Sequence, residues 1–174
     1  MSNGPANLQV WVDDTFVCIR IAGRASFQGS VDFKALVTAL WEKGHTRFVL
    51  DLTDCQLMDS TFLGVLAGLG LKFNAEKNGK PAACLELVNP NPRVADMLDN
   101  LGIAHLFKIL STPPPGTGEM NRLEPAAGGA DKKEVSRTCL EAHRVLMAVD
   151  PGNVPKFKDV TRFLEEDLKR MESE

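Results

Sequence analysis

No two cysteines in this sequence form a CxxC pair: Cys18, Cys55, Cys84 and Cys139 stand 29 to 55 residues apart. That spacing suits neither a zinc site nor a small disulfide scaffold, and it implies reduced thiols in a cytoplasm. Positive charge is not in excess: 20 Lys and Arg face 23 Asp and Glu, for a formal net charge of −3. Electrostatic capture of nucleic acid or anionic lipid is therefore not expected. Long apolar runs are missing as well. The longest, Phe62 to Leu71, falls far short of the ~20 residues that span a bilayer, and residues 1–7 lack the basic and apolar regions of a secretory leader.

Chemistry-bearing clusters are also scarce. His45, His105 and His143 are isolated, with no second ligand at metal spacing. No glycine-rich phosphate loop is present; Gly64, Gly68 and Gly70 fall inside a helical stretch, where they permit close packing. Asp51 and Asp59 make no convincing acid pair. With no nucleophile–base pair, metal cluster or cofactor loop to assemble, the chain reads as a non-enzyme with no cofactor and no metal site.

What is there is an ordinary globular composition, 44% hydrophobic and 25% charged, enough for a sizeable core. Residues 8–22 are rich in β-branched and aromatic side chains interrupted by Asp13-Asp14, which predicts two antiparallel strands, the second closed by Gly23. Val31, Ala35, Ala39 and Leu40 recur at helical spacing over 30–43, with Gly44 as a stop. Residues 47–52 predict a central strand covered on both faces. A loop over 53–58 then leads into a helix over 60–78 with Phe62, Leu66, Leu69 and Phe73 on one stripe, ended by Asn78-Gly79-Lys80-Pro81. Residues 82–88 predict a strand, Asn89-Pro90-Asn91-Pro92 a turn opening a helix, and Leu106–Leu110 a last short strand. The resulting fold class is α/β, a mixed sheet of four to five strands with helices packed on it, over residues 1–110.

Residues 111–130, rich in Pro and Gly, predict a flexible linker. Beyond it, Val135, Cys139, Ala142, Leu146 and Val149 form one helical stripe, and Val160, Phe163, Leu164 and Met171 another after the turn at Asp150. Residues 131–174 thus predict a helical hairpin, which either folds back over its own domain or carries a partner site.

The turn from the central strand into the second long helix holds Asp59, Ser60 and Thr61, each able to cap the helix. Free backbone N–H groups and the positive helix end make that place hospitable to an anion. A phosphate on Ser60 adds roughly −1.5 to −2 charges, a change tolerated at its own helix start and disruptive to a partner docked there. Phe62, Leu63, Val65 and Leu66 are more apolar all round than a surface helix needs, which fits core packing, with an exposed docking patch as the alternative. The cysteines read as small core residues.

Residues 58–66, Met-Asp-Ser-Thr-Phe-Leu-Gly-Val-Leu, preceded by Phe48-Val49-Leu50-Asp51-Leu52, resemble the signature of the STAS domain of bacterial anti-sigma factor antagonists. The second strand ending Ile19-Arg20-Ile21-Ala22-Gly23 and the late helix ending Asn100-Leu101-Gly102-Ile103 agree in order and spacing, so the resemblance covers about residues 7–110. It implies a STAS-like fold and partner switching: binding to an anti-sigma factor that is also a serine kinase, phosphorylation at Ser60 (less so Thr61), and reversal by a phosphatase. By the same matching Asp59 shapes the acceptor turn, and Asp59, Ser60, Thr61, Phe62, Leu63 and Gly64 form the partner-binding region. Two departures stand out. Phe62 replaces the glycine usual two residues after the acceptor serine, and Arg24-Ala25-Ser26 replaces the usual acidic residues. They open a second reading, a non-switching STAS subunit of a transport complex of the lipid-transport ABC type. A third treats the domain as a scaffold for a partner-binding hairpin.

Overall fold

The computed structural model describes residues 6–75, 82–112, 119–123 and 130–174. β1 (Asn7–Val12) and β2 (Val17–Ala25) pair antiparallel. The turn between them is closed by the Asp13 carboxylate, which accepts from the Thr15 N–H, the Thr15 hydroxyl and the Phe16 N–H. The Thr15 hydroxyl and the backbone bonds hold that carboxyl below its usual range. β2 does not end at Gly23 as expected. Gly23 sits at φ +89°, where the register shifts, and the strand runs on to Ala25. A glycine takes that φ without penalty, so the strand pivots there onto a second neighbour.

That neighbour is β4 (Cys55–Met58), inside the stretch expected to be loop, paired parallel to the far end of β2. β3 (Arg47–Asp51) pairs with the near end of β2, then β5 (Cys84–Val88) and β6 (Lys108–Leu110) follow. Within the stretch read as a linker, β7 (Asn121–Arg122) pairs with β1. The sheet order is β6-β5-β3-β2-β1-β7, with β4 beside β2. The mixed sheet thus has two strands, β4 and β7, more than the periodicity suggests; both are too short to show an alternation.

α1 (Phe27–Glu42), α2 (Ser60–Asn74) and α3 (Pro92–Asn100) send their apolar side chains to one face of that sheet. α1 begins three residues before the expected Ser30. α2 stops at Asn74: Ala75 turns extended, and the Ala83 N–H donates to the Phe73 carbonyl. The expected stop, Asn78 to Pro81, lies outside the described residues. α3 is capped by Asn91, with Pro92 in the first helical turn.

The core on this face is built from Phe33, Phe48, Phe62 and Phe73 with Ile19, Ile21, Leu50 and Leu87, all fully buried. The opposite face of β3 has no helix over it among the described residues. Phe16, Cys18, Val49 and Val88 cluster there, screened by Trp11, Leu110 and Met120, and the Arg47 guanidinium lies over the Phe16 ring. Cross-strand pairs Arg47–Glu86 and Arg20–Asp51 flank the cluster. Burial pushes the Cys18 and Cys55 thiols up to about 11, as expected for small core residues. Cys84, also expected inside, is exposed, because it starts β5 on the side away from the helices.

α4 (Lys132–Val149) and α5 (Val154–Ser173) form the C-terminal hairpin. α4 lies against α1 and α2, and Ala142 and Leu146 join the main core. The turn between them is pinned to the end of α3. The Nδ2 of fully buried Asn153 donates to the carbonyls of Leu101 and Leu146, both at 2.8 Å, and Lys156 Nζ donates to the Asn100 carbonyl. Gly102 takes φ +69°, and a Cβ there would stand 2.6 Å from the Asp150 carboxylate. The hairpin therefore folds back over its own domain. Its α5 stripe agrees with the expected one in part: Leu164 and Met171 are half-buried on the face of Phe157, Thr161 and Leu168, while Val160 and Phe163 are exposed. An i, i+3 spacing fits either face, and only packing against α4 selects one.

Candidate functional site

The site lies where β4 ends and α2 begins, and one carboxylate organises it. Asp59 is the N-cap of α2: its Oδ1 accepts from the Phe62 N–H at 2.8 Å. Its Oδ2 accepts from the Phe27 N–H, also at 2.8 Å. Phe27 opens α1, whose own N-cap, Ser26, makes no side-chain cap bond. Asp59 thus caps two helices 32 positions apart, and its own N–H donates to the Ala25 carbonyl at the end of β2. Neither Ser60 nor Thr61 is the cap.

Each of those cap bonds is worth about 1 kcal/mol. Asp59→Ala is expected to lower the unfolding free energy by about 2 kcal/mol, and Asp59→Asn, with one carbonyl oxygen left, by about half of that. Urea denaturation of the three proteins checks the order.

Ser60 takes the first helical position of α2 and is half-buried. Its Oγ lies 2.9 Å from Nε2 of His143 on α4. The other ring nitrogen, Nδ1, lies 2.6 Å from the Cys139 carbonyl. A carbonyl only accepts, so Nδ1 carries the proton, and in the neutral ring Nε2 accepts from the Ser60 hydroxyl. His143 is buried and lies edge-on to the Phe157 ring at 5.0 Å. Next to it the Thr61 hydroxyl donates to Cys139 Sγ at 3.5 Å. Burial raises the Cys139 thiol above its usual range.

Two readings of the sequence are corrected here. His143 is not isolated, and a serine–imidazole pair does assemble, from residues 83 positions apart. The signal available was that His143 falls on the apolar stripe of α4, four residues after Cys139, where a polar side chain must find a partner. The partner itself was not legible. Neither of the two cavities beside α4 is lined by Ser60 or His143. Among the described residues no group of three or more His, Cys, Asp and Glu is arranged to hold a metal ion, and no helix is long and apolar enough to cross a membrane.

The remaining site residues lie inside the protein. Thr61, Phe62, Leu63 and Gly64 are all buried. The Phe62 ring packs on Phe33 at 4.9 Å between centroids; it points into the core, so it does not project from the turn as a bulky obstacle. Gly64 faces α4 at contact distance: a Cβ there would stand 2.4 Å from the Ala142 carbonyl oxygen. Ser60 and Gly64 thus share the α2 face that α4 covers.

The family model described as the STAS domain matches residues 7–113. Among solved structures, a putative anti-sigma factor antagonist from Thermotoga maritima is 23% identical over 60% of this chain and 86% of its own, with a TM-score of 0.53. An anti-sigma factor antagonist from Mycobacterium paratuberculosis is 15% identical over 62% of this chain and 86% of its own, with a TM-score of 0.50. At such identities the likeness is one of fold. Among curated proteins, none matches.

Proposed function

The chain belongs to the STAS domain family, and from that premise we propose that it is a cytoplasmic, non-catalytic regulator of the anti-sigma factor antagonist type. It binds an anti-sigma factor that is also a serine kinase, is phosphorylated at Ser60, and is restored by a phosphatase. The observation that carries this reading is the position of Ser60. It opens a helix whose cap, Asp59, is already bonded through both oxygens, which leaves the serine hydroxyl free of capping duty. The first-turn N–H groups beside it favour an added phosphate.

The test is incubation of the purified full-length chain with serine kinases encoded in its own genome, followed by phosphosite mapping. Modification concentrated at Ser60 supports the switch; modification only elsewhere, or none with every candidate, overturns it. A non-switching STAS subunit, of a transport complex for instance, is the second reading, and one observation favours it: the Ser60 hydroxyl is engaged by His143 beneath α4. Recovery of an ATPase subunit in place of a kinase in a pull-down would select it.

A further inference from the structure

We propose that the α4–α5 hairpin is an internal cover for the switch face of α2, and that a phosphate on Ser60 drives it off. The inference rests on Ser60 being the acceptor, and it adds what the modification does to this chain. The face in question runs from Ser60 through Gly64 to Gly68, and three contacts seat α4 on it. Ser60 Oγ bonds His143 Nε2, the Thr61 hydroxyl bonds Cys139 Sγ, and the α4 backbone at Ala142 rests where a side chain on Gly64 would be. A partner reaching for this face meets α4 first.

A phosphoryl group on Ser60 Oγ crowds the His143 ring, whose Nε2 stands 2.9 Å from that oxygen. The ring is held from two other directions. Its far nitrogen is bonded to the Cys139 carbonyl, and Phe157 closes its side. The phosphate itself stays with α2, because the helix start attracts an anion. The carboxylate of the preceding residue, Asp59, keeps its place through its two cap bonds and repels the new charge. The element that yields is therefore α4.

The seam has open space along both of its flanks. A cavity of about 280 Å³ lies between α2 and α4, lined by Val65, Gly68, Leu69 and Val145 among others. A second, of about 410 Å³, runs beside the α1–α4 contact along Val31, Ala35, Thr38 and Arg137. Empty space on both flanks removes contacts that a tightly packed helix would have to break. Across the α1 seam Lys34 and Glu141 form an ion pair at the surface, which adds little.

Phosphoserine installed at position 60 during synthesis of the full-length chain tests this without any kinase. Hydrogen exchange is compared with the unmodified chain and with Ser60→Ala, which loses the bond to His143 but adds no bulk. The expected result is at least about tenfold faster exchange in the α4 amides of the phosphorylated chain, while β3 and β5 stay protected and Ser60→Ala remains closed. Unchanged exchange in α4 overturns the proposal. So does loss of protection throughout the sheet, which would make the hairpin an inseparable part of the fold. Failure of every kinase to modify Ser60 would remove the switch reading alone, since exchange of the synthetic phosphoprotein reads the cover independently.

Discussion

Replacing Phe62 with alanine is expected to lower the free energy of unfolding by about 3–5 kcal/mol, the usual cost of truncating a buried aromatic. The ring is fully buried, stands between α1 and α2, and meets the Phe33 ring at 4.9 Å with a 37° tilt. Its removal leaves a hole bounded by the sheet and both helices, and neither helix is free to close it. Asp59 holds the two N-termini to a single carboxylate. Urea midpoints of wild type, Phe62→Ala and Phe62→Leu measure the effect, with leucine recovering most of the loss. A drop smaller than about 1.5 kcal/mol for the alanine variant, the range of volume-conserving swaps, would contradict the packing. The prediction also bears on the family pattern. A glycine is usual at this position, yet here glycine would be costlier than alanine by about a further 1 kcal/mol of helix propensity.

Gly64→Val is expected to cost about 3 kcal/mol, the upper end for overpacking, and to loosen α4 selectively. The atoms it meets are the Ala142 carbonyl oxygen at 2.4 Å and the Ala142 carbonyl carbon and Cβ at 2.7 Å. Backbone cannot change rotamer, so α4 has to move as a body. Gly68 provides the contrast. A Cβ there meets only a methyl of Val145, at 3.7 Å, and Gly68→Ala is expected to be neutral or to stabilise by up to ~1 kcal/mol through helix propensity. Thermal unfolding and hydrogen exchange of α4 separate the two variants. Equal behaviour at positions 64 and 68 would mean that α4 does not lie on this face of α2. Opening of α4 in Gly64→Val without any phosphate would also supply a permanently uncovered form.

Much of the fold was legible because it rests on patterns that a short stretch of chain carries by itself. The β1–β2 hairpin is marked by β-branched residues on either side of Asp13-Asp14, β3 by a short, largely apolar run, and α3 by Asn91-Pro92 followed by Val94 and Leu98. β4 and β7 were not legible. Four and two residues long, they are strands only because β2 and β1 offer edges for them to pair with. The outward turn of Val160 and Phe163 was not legible because the spacing of α5 allows a wider stripe, of which contact with α4 covers the side holding Thr161, Leu164, Leu168 and Met171.

The candidate site divides in the same way. The sequence by itself determined the Asp59-Ser60-Thr61 turn at the start of an apolar helix, since strand, turn and helix signals lie within about twenty consecutive residues. It also determined that a hairpin follows over residues 131–174, from stripes at 135–149 and 160–171. Only the tertiary structure decided which residue caps, because Asp59 serves a helix 32 positions away as well as its own. Only the tertiary structure decided that Phe62 points inward and that His143 and Ala142 lie over Ser60 and Gly64. Those partners meet across almost half the chain. Their meeting is set by how α4 packs on α1 and α2, and no local periodicity records it.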